Sequence, residues 1–255
     1  MAHTLTIVTP CLNAEATIRR TVESVVGQST KPYEYLVVDG GSSDGTLQIL
    51  EEYSEYISSV VSEPDRGISD AFNKGIHRAT GDFVLILNAD DWLEPEAVER
   101  LMQVIESLPE DERNQTILHC AMNIVDEAGQ SRRVRSRYRG GRAGGWAFYF
   151  DMPINHPGCC VPKAVYEQLG GYEESFRIAM DCEFVLRSWK NGVQFRYLPE
   201  PLVNFAVGGV STAHTFKALQ EVRKAQRKNG LPRLTTEVVF AAKATVNRAK
   251  RLVAR

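Results

Sequence analysis

Apolar residues in the first 110 positions follow two alternating rhythms. Runs of β-forming residues at 5–10, 33–39, 57–63 and 82–87 predict four strands. Between and after them, apolar positions recur every three or four residues over 13–28, 44–53, 67–79 and 94–108, predicting four helices. In the first helix Ile18, Val22, Val25 and Val26 share a face, with Asn13 as a candidate N-cap. Pro95 falls in the first turn of the fourth. Strands that alternate with helices predict an α/β fold with a mostly parallel central sheet flanked by helices.

The pattern changes after residue 110. Residues 116–138 predict a hairpin turning at DEAGQ, 126–130, and the glycine-rich stretch 140–146 predicts a mobile loop. A short helix over 161–171 is closed by Gly170 and Gly171, and another over 180–192 ends at Gly192. Strands follow at 193–199 and 201–207. Two basic helices, broken near 229–234, finish the chain, and no segment repeats.

Composition narrows the class. Hydrophobic residues at 43% and charged residues at 24% are ordinary for a soluble globular protein, and 255 residues can bury a substantial core. No run of 18 apolar residues predicts a spanning helix, and the N-terminus lacks the basic-then-apolar order of a signal peptide. The five cysteines are odd in number and irregularly spaced, which predicts small buried residues in a reducing cytoplasm. The net charge of −2 hides an asymmetry. Residues 214–255 hold eleven Lys or Arg against two Glu, whereas residues 1–213 hold 19 basic against 30 acidic groups. The tail therefore suits an anionic surface. Basic residues interleaved with Val, Leu and Ala point to peripheral contact with a membrane, and a solvated helix or an oligomer contact fits nearly as well. Few aromatics for base stacking argue against nucleic acid.

In open α/β sheets, ligands bind beyond the carboxyl ends of the strands. Strand one is followed by Thr9, Pro10, Asn13 and Glu15, and strand two by Asp39 and the turn 40–44. Strand three leads to Glu63, Asp65 and Arg66, and strand four to Asn88, Asp90 and Asp91. All four sets project to one edge. The turn at 40–45 is not GxGxxG and could simply feed a helix. Asp39 could cap that helix, or accept hydrogen bonds from a base or ribose. Asp70, Asn73 and Lys74 share a helix face, as a site or as a solvated ion pair. Adjacent carboxylates at 90 and 91 repel, and folding does not call for them. Hard oxygen ligands suit Mg²⁺ or Mn²⁺, which in turn neutralises phosphate.

With these residues assembled, the chain resembles family 2 glycosyltransferases of the GT-A fold, and among them bacterial enzymes that build O-antigen or exopolysaccharide units. The matching segments are TIVTPCLNAEATI, YLVVDGGSSDGT, SEPDRGISDAFNKGI, GDFVLILNADDWL, HPGCCVPKAVYEQLGGYEESFRIAMDCEFVLR and FAVGGVS. The resemblance implies a catalytic domain over 1–212, with a nucleotide-sugar half at 1–110 and an acceptor half at 111–212. Residues 213–255 lie outside it as a basic helical extension.

The resemblance further implies a UDP-, GDP- or dTDP-sugar donor, a divalent metal, inversion at the anomeric carbon, and a glycan or lipid-linked acceptor. Pro10, Asn13, Glu15 and Asp39 match nucleoside-holding positions, with Asp39 meeting the base. Asp65, Asp70, Asn73 and Lys74 match the segment lining nucleotide and sugar. Asn88, Ala89 and Asp90 match the DxD element, with Asp90 as metal ligand and Asp91 sharing the load. Asn88 departs from the strict pattern and removes a charge. Asp181 matches the catalytic base, preceded by Met180 where many relatives carry Glu or Ser. His156 is a candidate acceptor or phosphate contact, and His214 a further candidate metal ligand. Two other classes are weighed. A nucleotide-sugar pyrophosphorylase needs a glycine-rich basic N-terminal loop, which TPCLNAE lacks. A non-catalytic sugar-nucleotide binder has no use for Asp90, Asp91 and Asp181 together.

Overall fold

The computed structural model describes residues 3–138, 142–150, 152–207 and 215–253. The N-terminal half runs β1 (Leu5–Cys11), α1 (Ile18–Val26), β2 (Glu34–Asp39), α2 (Thr46–Glu51), β3 (Ser59–Ser62), α3 (Ile68–Arg78), β4 (Phe83–Ile86), β5 (Trp92–Leu93), α4 (Ala97–Ser107) and α5 (Glu110–Arg113). The second half adds β6 (Thr116–Val125), β7 (Ser131–Val134), β8 (Cys160–Pro162), α6 (Lys163–Leu169), α7 (Met180–Lys190), β9 (Gln194–Ala206), α8 (Thr215–Lys228) and α9 (Arg233–Val253).

The strands form one sheet in the order β3-β2-β1-β4-β8-β6-β9-β5, with β7 paired to β6. The β1, β2, β3 and β4 pairings are parallel, as the strand–helix alternation predicts. Beyond β4 the pairings of β8, β7 and β5 are antiparallel and that of β6 with β9 is parallel. The sheet as a whole is mixed.

Both faces are buried, and the period of two shows it. Val8, Leu36, Val38, Val84 and Ile86 join one apolar cluster with α3, through Ala71, Phe72 and Ile76. Their neighbours Ile7, Tyr35, Val37, Phe83 and Leu85 join the other, with α1 and α4 through Ile18, Val22, Val98 and Leu101. Fully burying each such aliphatic side chain contributes roughly 1.5–3 kcal/mol, so these two helix faces hold the sheet firmly.

Three expectations change. Asn13 is not an N-cap: α1 starts at Ile18 after Thr17, and Asn13 instead sits at φ 50°, in the left-handed region that Asn tolerates. The predicted loop at 140–146 falls partly outside the described residues, and Arg142–Tyr149 coil into a 3-10 turn. The two strands expected at 193–207 are one, β9. Its register against β6 jumps from Cys120–Leu198 to Ala121–Pro201, because Pro199 and Pro201 have no N–H to offer the ladder. The five cysteines are free and buried, as expected.

The C-terminal helices are packed into the body. Ala225 and Leu231 belong to the same apolar cluster as Phe72 and Phe184. The buried Gln226 amide donates to the Phe148 and Tyr149 carbonyls at 3.1 and 2.9 Å. Residue 212 is therefore spanned by core contacts.

Candidate active site

Register brings the strand ends level. Cys11 lies opposite Asp39, Asp39 opposite Ser62, and Val8 opposite Ile86. The polar residues beyond β1, β2, β3 and β4 therefore leave the sheet along one edge.

The first two loops lace together. Asn13 Oδ1 accepts from the Ser43 N–H at 2.9 Å, while the Asn13 N–H donates to Ser42 Oγ at 2.7 Å. The exposed Glu15 accepts from the Gly45 N–H at 3.0 Å, and its own N–H donates to Asp44 at 3.1 Å. Pro10 is buried within β1. Asp39 is fully enclosed. Its carboxylate accepts from the Gly41 and Ser42 N–H groups at 3.1 and 3.0 Å and from the Ser42 and Ser62 hydroxyls. Burial pushes this carboxyl up, but the hydrogen bonds outweigh it and hold it below the ordinary value. Asp39 shapes the turn. The half-buried Asp65 carboxylate lies directly above Gly40, where a Cβ would overlap it, and accepts from the Gly67 N–H at 2.8 Å.

On α3, Asp70 is buried and pairs with Arg66 at 3.1 Å and Lys74 at 3.5 Å. Hydrogen bonds from the Arg66 side chain and N–H hold its carboxyl down to about 2. Lys74 also reaches Glu63 at 3.1 Å and the Pro64 carbonyl at 2.9 Å, closing the loop onto the helix. Asn73 turns the other way. Its amide donates to the Tyr172 carbonyl at 2.8 Å and accepts from the Tyr172 N–H at 2.7 Å. A side chain on Gly171 would collide with that amide oxygen.

Tyr172 then passes the register to His156, whose Nε2 lies 2.6 Å from the Tyr172 hydroxyl. His156 stacks on Phe72, ring centroids 6.1 Å apart and planes 10° apart. Burial pushes its imidazole below the ordinary value, and the nearby Asp181 charge pulls it partly back. Asp181 is the second residue of α7 and accepts from the Cys182 N–H at 2.7 Å. So α3 holds the loop after β3 through Asp70 and Lys74 and reaches the Asp181 neighbourhood through Asn73.

At the end of β4 the chain turns sharply, with the Asp91 N–H donating to the Asn88 carbonyl at 3.1 Å. Asp91 is fully buried. Its Oδ2 accepts from the Asn88 amide at 3.1 Å and its Oδ1 from the Ala206 N–H at 3.3 Å. Asp90 stays half-exposed and Ala89 is buried. Burial and the neighbouring Asp90 push the Asp91 carboxyl up to about 8, and burial also raises Asp90. Among the described residues Asn88 Oδ1 is buried without a hydrogen-bond partner. Two carboxylates destabilised as anions and an orphaned amide oxygen are what a cation would correct. Among the described residues no three His, Cys, Asp or Glu side chains gather into a metal cage, so the protein would supply few ligands. His214 lies outside the described residues.

Three contributors escape the sequence reading. Arg20 lies 3.7 Å over the Trp92 ring and donates to the Asp90 carbonyl at 3.1 Å, bracing the turn from α1. Tyr172 carries the Asn73–His156 link. Glu221, in the basic tail, accepts from the Ile178 and Ala179 N–H groups just ahead of α7. The signal for Glu221 was an absence: Ala179, at the N-cap position, has no side-chain oxygen.

Several known proteins similar to this chain are glycosyltransferases. The PGL/p-HBAD biosynthesis glycosyltransferase of Mycobacterium tuberculosis is 26% identical over 216 residues, covering 82% of this chain and 80% of that protein. The putative teichuronic acid biosynthesis glycosyltransferase TuaG of Bacillus subtilis is 36% identical over 102 residues, 39% of this chain and 40% of its own length. Glycosyltransferase GlyA of Streptococcus pneumoniae is 32% identical over 103 residues, 40% of this chain but only 15% of that one. Among solved structures, S. aureus TarS 1–349 in complex with UDP-GlcNAc superimposes with a TM-score of 0.67 at 19% identity, covering 94% of this chain and 71% of that one. That likeness supports the GT-A-like fold. The family model described as glycosyl transferase family 2 matches residues 6–170, more than half the sequence. The chain belongs to glycosyl transferase family 2.

Proposed function

We propose that the protein is an inverting glycosyltransferase that moves a sugar from a nucleoside diphosphate donor to an acceptor hydroxyl, in assembly of a bacterial surface polysaccharide or glycoconjugate. The observation that carries this is the α3 junction. One helix ties the loop after β3, through the Asp70 and Lys74 pairings with Arg66 and Glu63, to the Tyr172–His156–Asp181 cluster through Asn73. The names of the mycobacterial and TuaG relatives support the pathway, and the UDP-GlcNAc complex of TarS supports a nucleotide-sugar donor.

In this reading the laced β1 and β2 loops, with Pro10, Asn13 and Glu15, seat the nucleoside. Because the Asp39 oxygens serve the turn, the half-exposed Asp65 above Gly40 offers the carboxylate on that side. Asp90 would hold the divalent metal, Mn²⁺ or Mg²⁺. Asp91 fixes the Asn88 amide, and the orphaned Asn88 Oδ1 would be a neutral oxygen ligand for the same ion. The bound metal would stabilise charge on the departing diphosphate. Asp181 accepts the proton of the attacking acceptor hydroxyl, which needs its oxygen within about 3 Å of that group. His156, held neutral by burial, orients the acceptor or a phosphate oxygen.

The proposal is tested by screening UDP-, GDP- and dTDP-sugars for Mn²⁺-dependent thermal stabilisation, then measuring turnover of the responding donor. Asp181→Asn is expected to leave only a small residual rate of transfer while nucleotide binding persists. Unchanged turnover removes Asp181 as the base, and binding without any transfer or hydrolysis favours a non-catalytic binder.

We propose a membrane surface as a second partner, at α9. Leu234, Val238 and Val246 are 77%, 60% and 53% exposed, and Ala241 and Ala242 beside them are exposed as well. At 100° per residue these positions form one outward stripe. Both acids of the tail are engaged internally, Glu237 by Arg223 and Arg227 and Glu221 by backbone N–H groups, so the bases dominate outside. An apolar stripe edged by cations fits an anionic lipid surface, where a lipid-linked acceptor would lie. Among the described residues no helix is long and apolar enough to cross a membrane.

A further inference from the structure

We infer that Glu221, beyond the segment that matches the family, is a positioning residue for Asp181. The inference rests on the reading of Asp181 as the base.

The first N–H groups of any helix lack partners within the helix. A Ser, Thr, Asp or Asn at the N-cap normally supplies one, but α7 starts from Ala179. The approach to this helix is held from a distance. One oxygen of Glu221 accepts from three successive backbone N–H groups: Arg177 at 3.0 Å, Ile178 at 2.8 Å and Ala179 at 2.9 Å. The other oxygen also takes the Arg177 N–H, at 3.2 Å. Successive N–H groups converging on one oxygen make an anion-binding concavity, and a negative charge at a helix N-terminus is favourable. Bonds to an ionised acceptor are about twice as strong as neutral ones, so the carboxylate matters beyond its shape.

The anchor is stiff at its other end. On α8, Ala225 is fully buried and the Gln226 amide is tied to the Phe148 and Tyr149 carbonyls. Lys224 lies 4.4 Å from the centre of the Phe176 ring and donates to the Ser175 carbonyl at 3.2 Å. The Asn229 amide reaches Glu183, two residues past Asp181, at 3.3 Å. Helix α8 and the residue that follows it thus hold both the approach to α7 and its first full turn. Asp181, the second residue of α7, inherits its placement from that grip. A base displaced by about 1 Å from its working geometry can lose on the order of a hundredfold in rate, so the grip bears on turnover.

A merely structural cap would lower stability and leave the rate per folded molecule unchanged. The test therefore uses the full chain with the donor identified by the screen above. It compares kcat, donor KM and thermal midpoint for wild type, Glu221→Gln, Glu221→Ala, Asp181→Asn and the Glu221→Ala/Asp181→Asn double variant. Glu221→Ala is expected to lower kcat about tenfold with donor KM within about twofold, and to cost nothing further on the Asp181→Asn background. Wild-type kcat in the folded Glu221 variants overturns the inference. So does an equal loss in the presence and absence of Asp181, since Glu221 would then act independently. If Glu221→Ala does not fold, Glu221→Gln keeps one acceptor oxygen and carries the comparison, with an expected loss of about threefold. Full activity in Asp181→Asn overturns the base assignment itself, whatever the Glu221 variants do.

Discussion

The side-chain amide of Asn88 donates to the buried carboxylate of Asp91 at 3.1 Å, and its oxygen is left with no partner. Replacing Asn88 by Asp removes the donor and sets a third carboxylate among Asp90 and Asp91. Without metal, Asn88→Asp is expected to lower the thermal midpoint by several degrees, because the Asp91 carboxyl loses its hydrogen bond and a third acid is buried where the charged form is already disfavoured. With saturating Mn²⁺ the order should reverse, since the ion gains an anionic ligand. Thermal scans in chelator and in Mn²⁺ check both halves. A midpoint insensitive to Mn²⁺ in both proteins would sink the metal assignment.

Asn73 joins α3 to the backbone of Tyr172 by two hydrogen bonds. Asn73→Ala strands the Tyr172 N–H and C=O and should cost about 2 kcal/mol in denaturant unfolding. Because Tyr172 holds His156, turnover should fall more than donor affinity does. Loss of donor affinity alone would place Asn73 at the donor and not at this junction.

Asp70 sets a pH dependence with a definite sign. Its folded carboxyl is held at about 2, below its ordinary value, so its contribution is present above that ordinary value and fades as pH falls towards 2. Thermal midpoints of wild type and Asp70→Asn should differ most near neutrality and converge in acid. A constant gap from pH 6 to pH 2 would show that the Arg66 and Lys74 pairings contribute no charge-dependent stability.

The stripe on α9 predicts flotation with vesicles containing phosphatidylglycerol and not with pure phosphatidylcholine. Replacing Leu234, Val238 and Val246 by Ser should reduce binding at least tenfold, as each loses roughly 1–2 kcal/mol of apolar burial. Sedimentation of the free protein tests the alternative. A dimer that dissociates on the same substitutions, with no vesicle binding, would assign the stripe to a second copy of the chain.

Much of this was legible in the sequence because it is local. The strand–helix alternation set β1 to β4, and the abrupt polar ends of those strands set the edge where Asp39, Asp65 and Asp90 leave the sheet. The 126–130 hairpin turn was equally plain. What escaped depends on contacts distant in sequence. Asn13 looked like a helix cap but spends its side chain on Ser43, 30 residues away. The Pro199–Pro201 interruption looked like the end of a strand, whereas β6 holds the two pieces in line. Charge marked the tail as an extension; its buried Ala225 and Gln226 were invisible to a count of lysines and arginines. Asp39 does end β2 at the shared strand edge, but its inward hydrogen bonds follow from Ser62 on the next strand.

The order in which a ribosome delivers the chain adds a consequence to the Glu221 anchor. Asp181 emerges well before residue 221, and N-terminal segments generally begin to fold first. A nascent chain can therefore assemble the strand edge, where the proposed donor would bind, while the start of α7 still waits for its distant carboxylate. Completion of α8 is then the last structural event before the site is whole. Chains that stop short of α8 would lack that carboxylate and run slowly by construction, holding donor longer than they spend it.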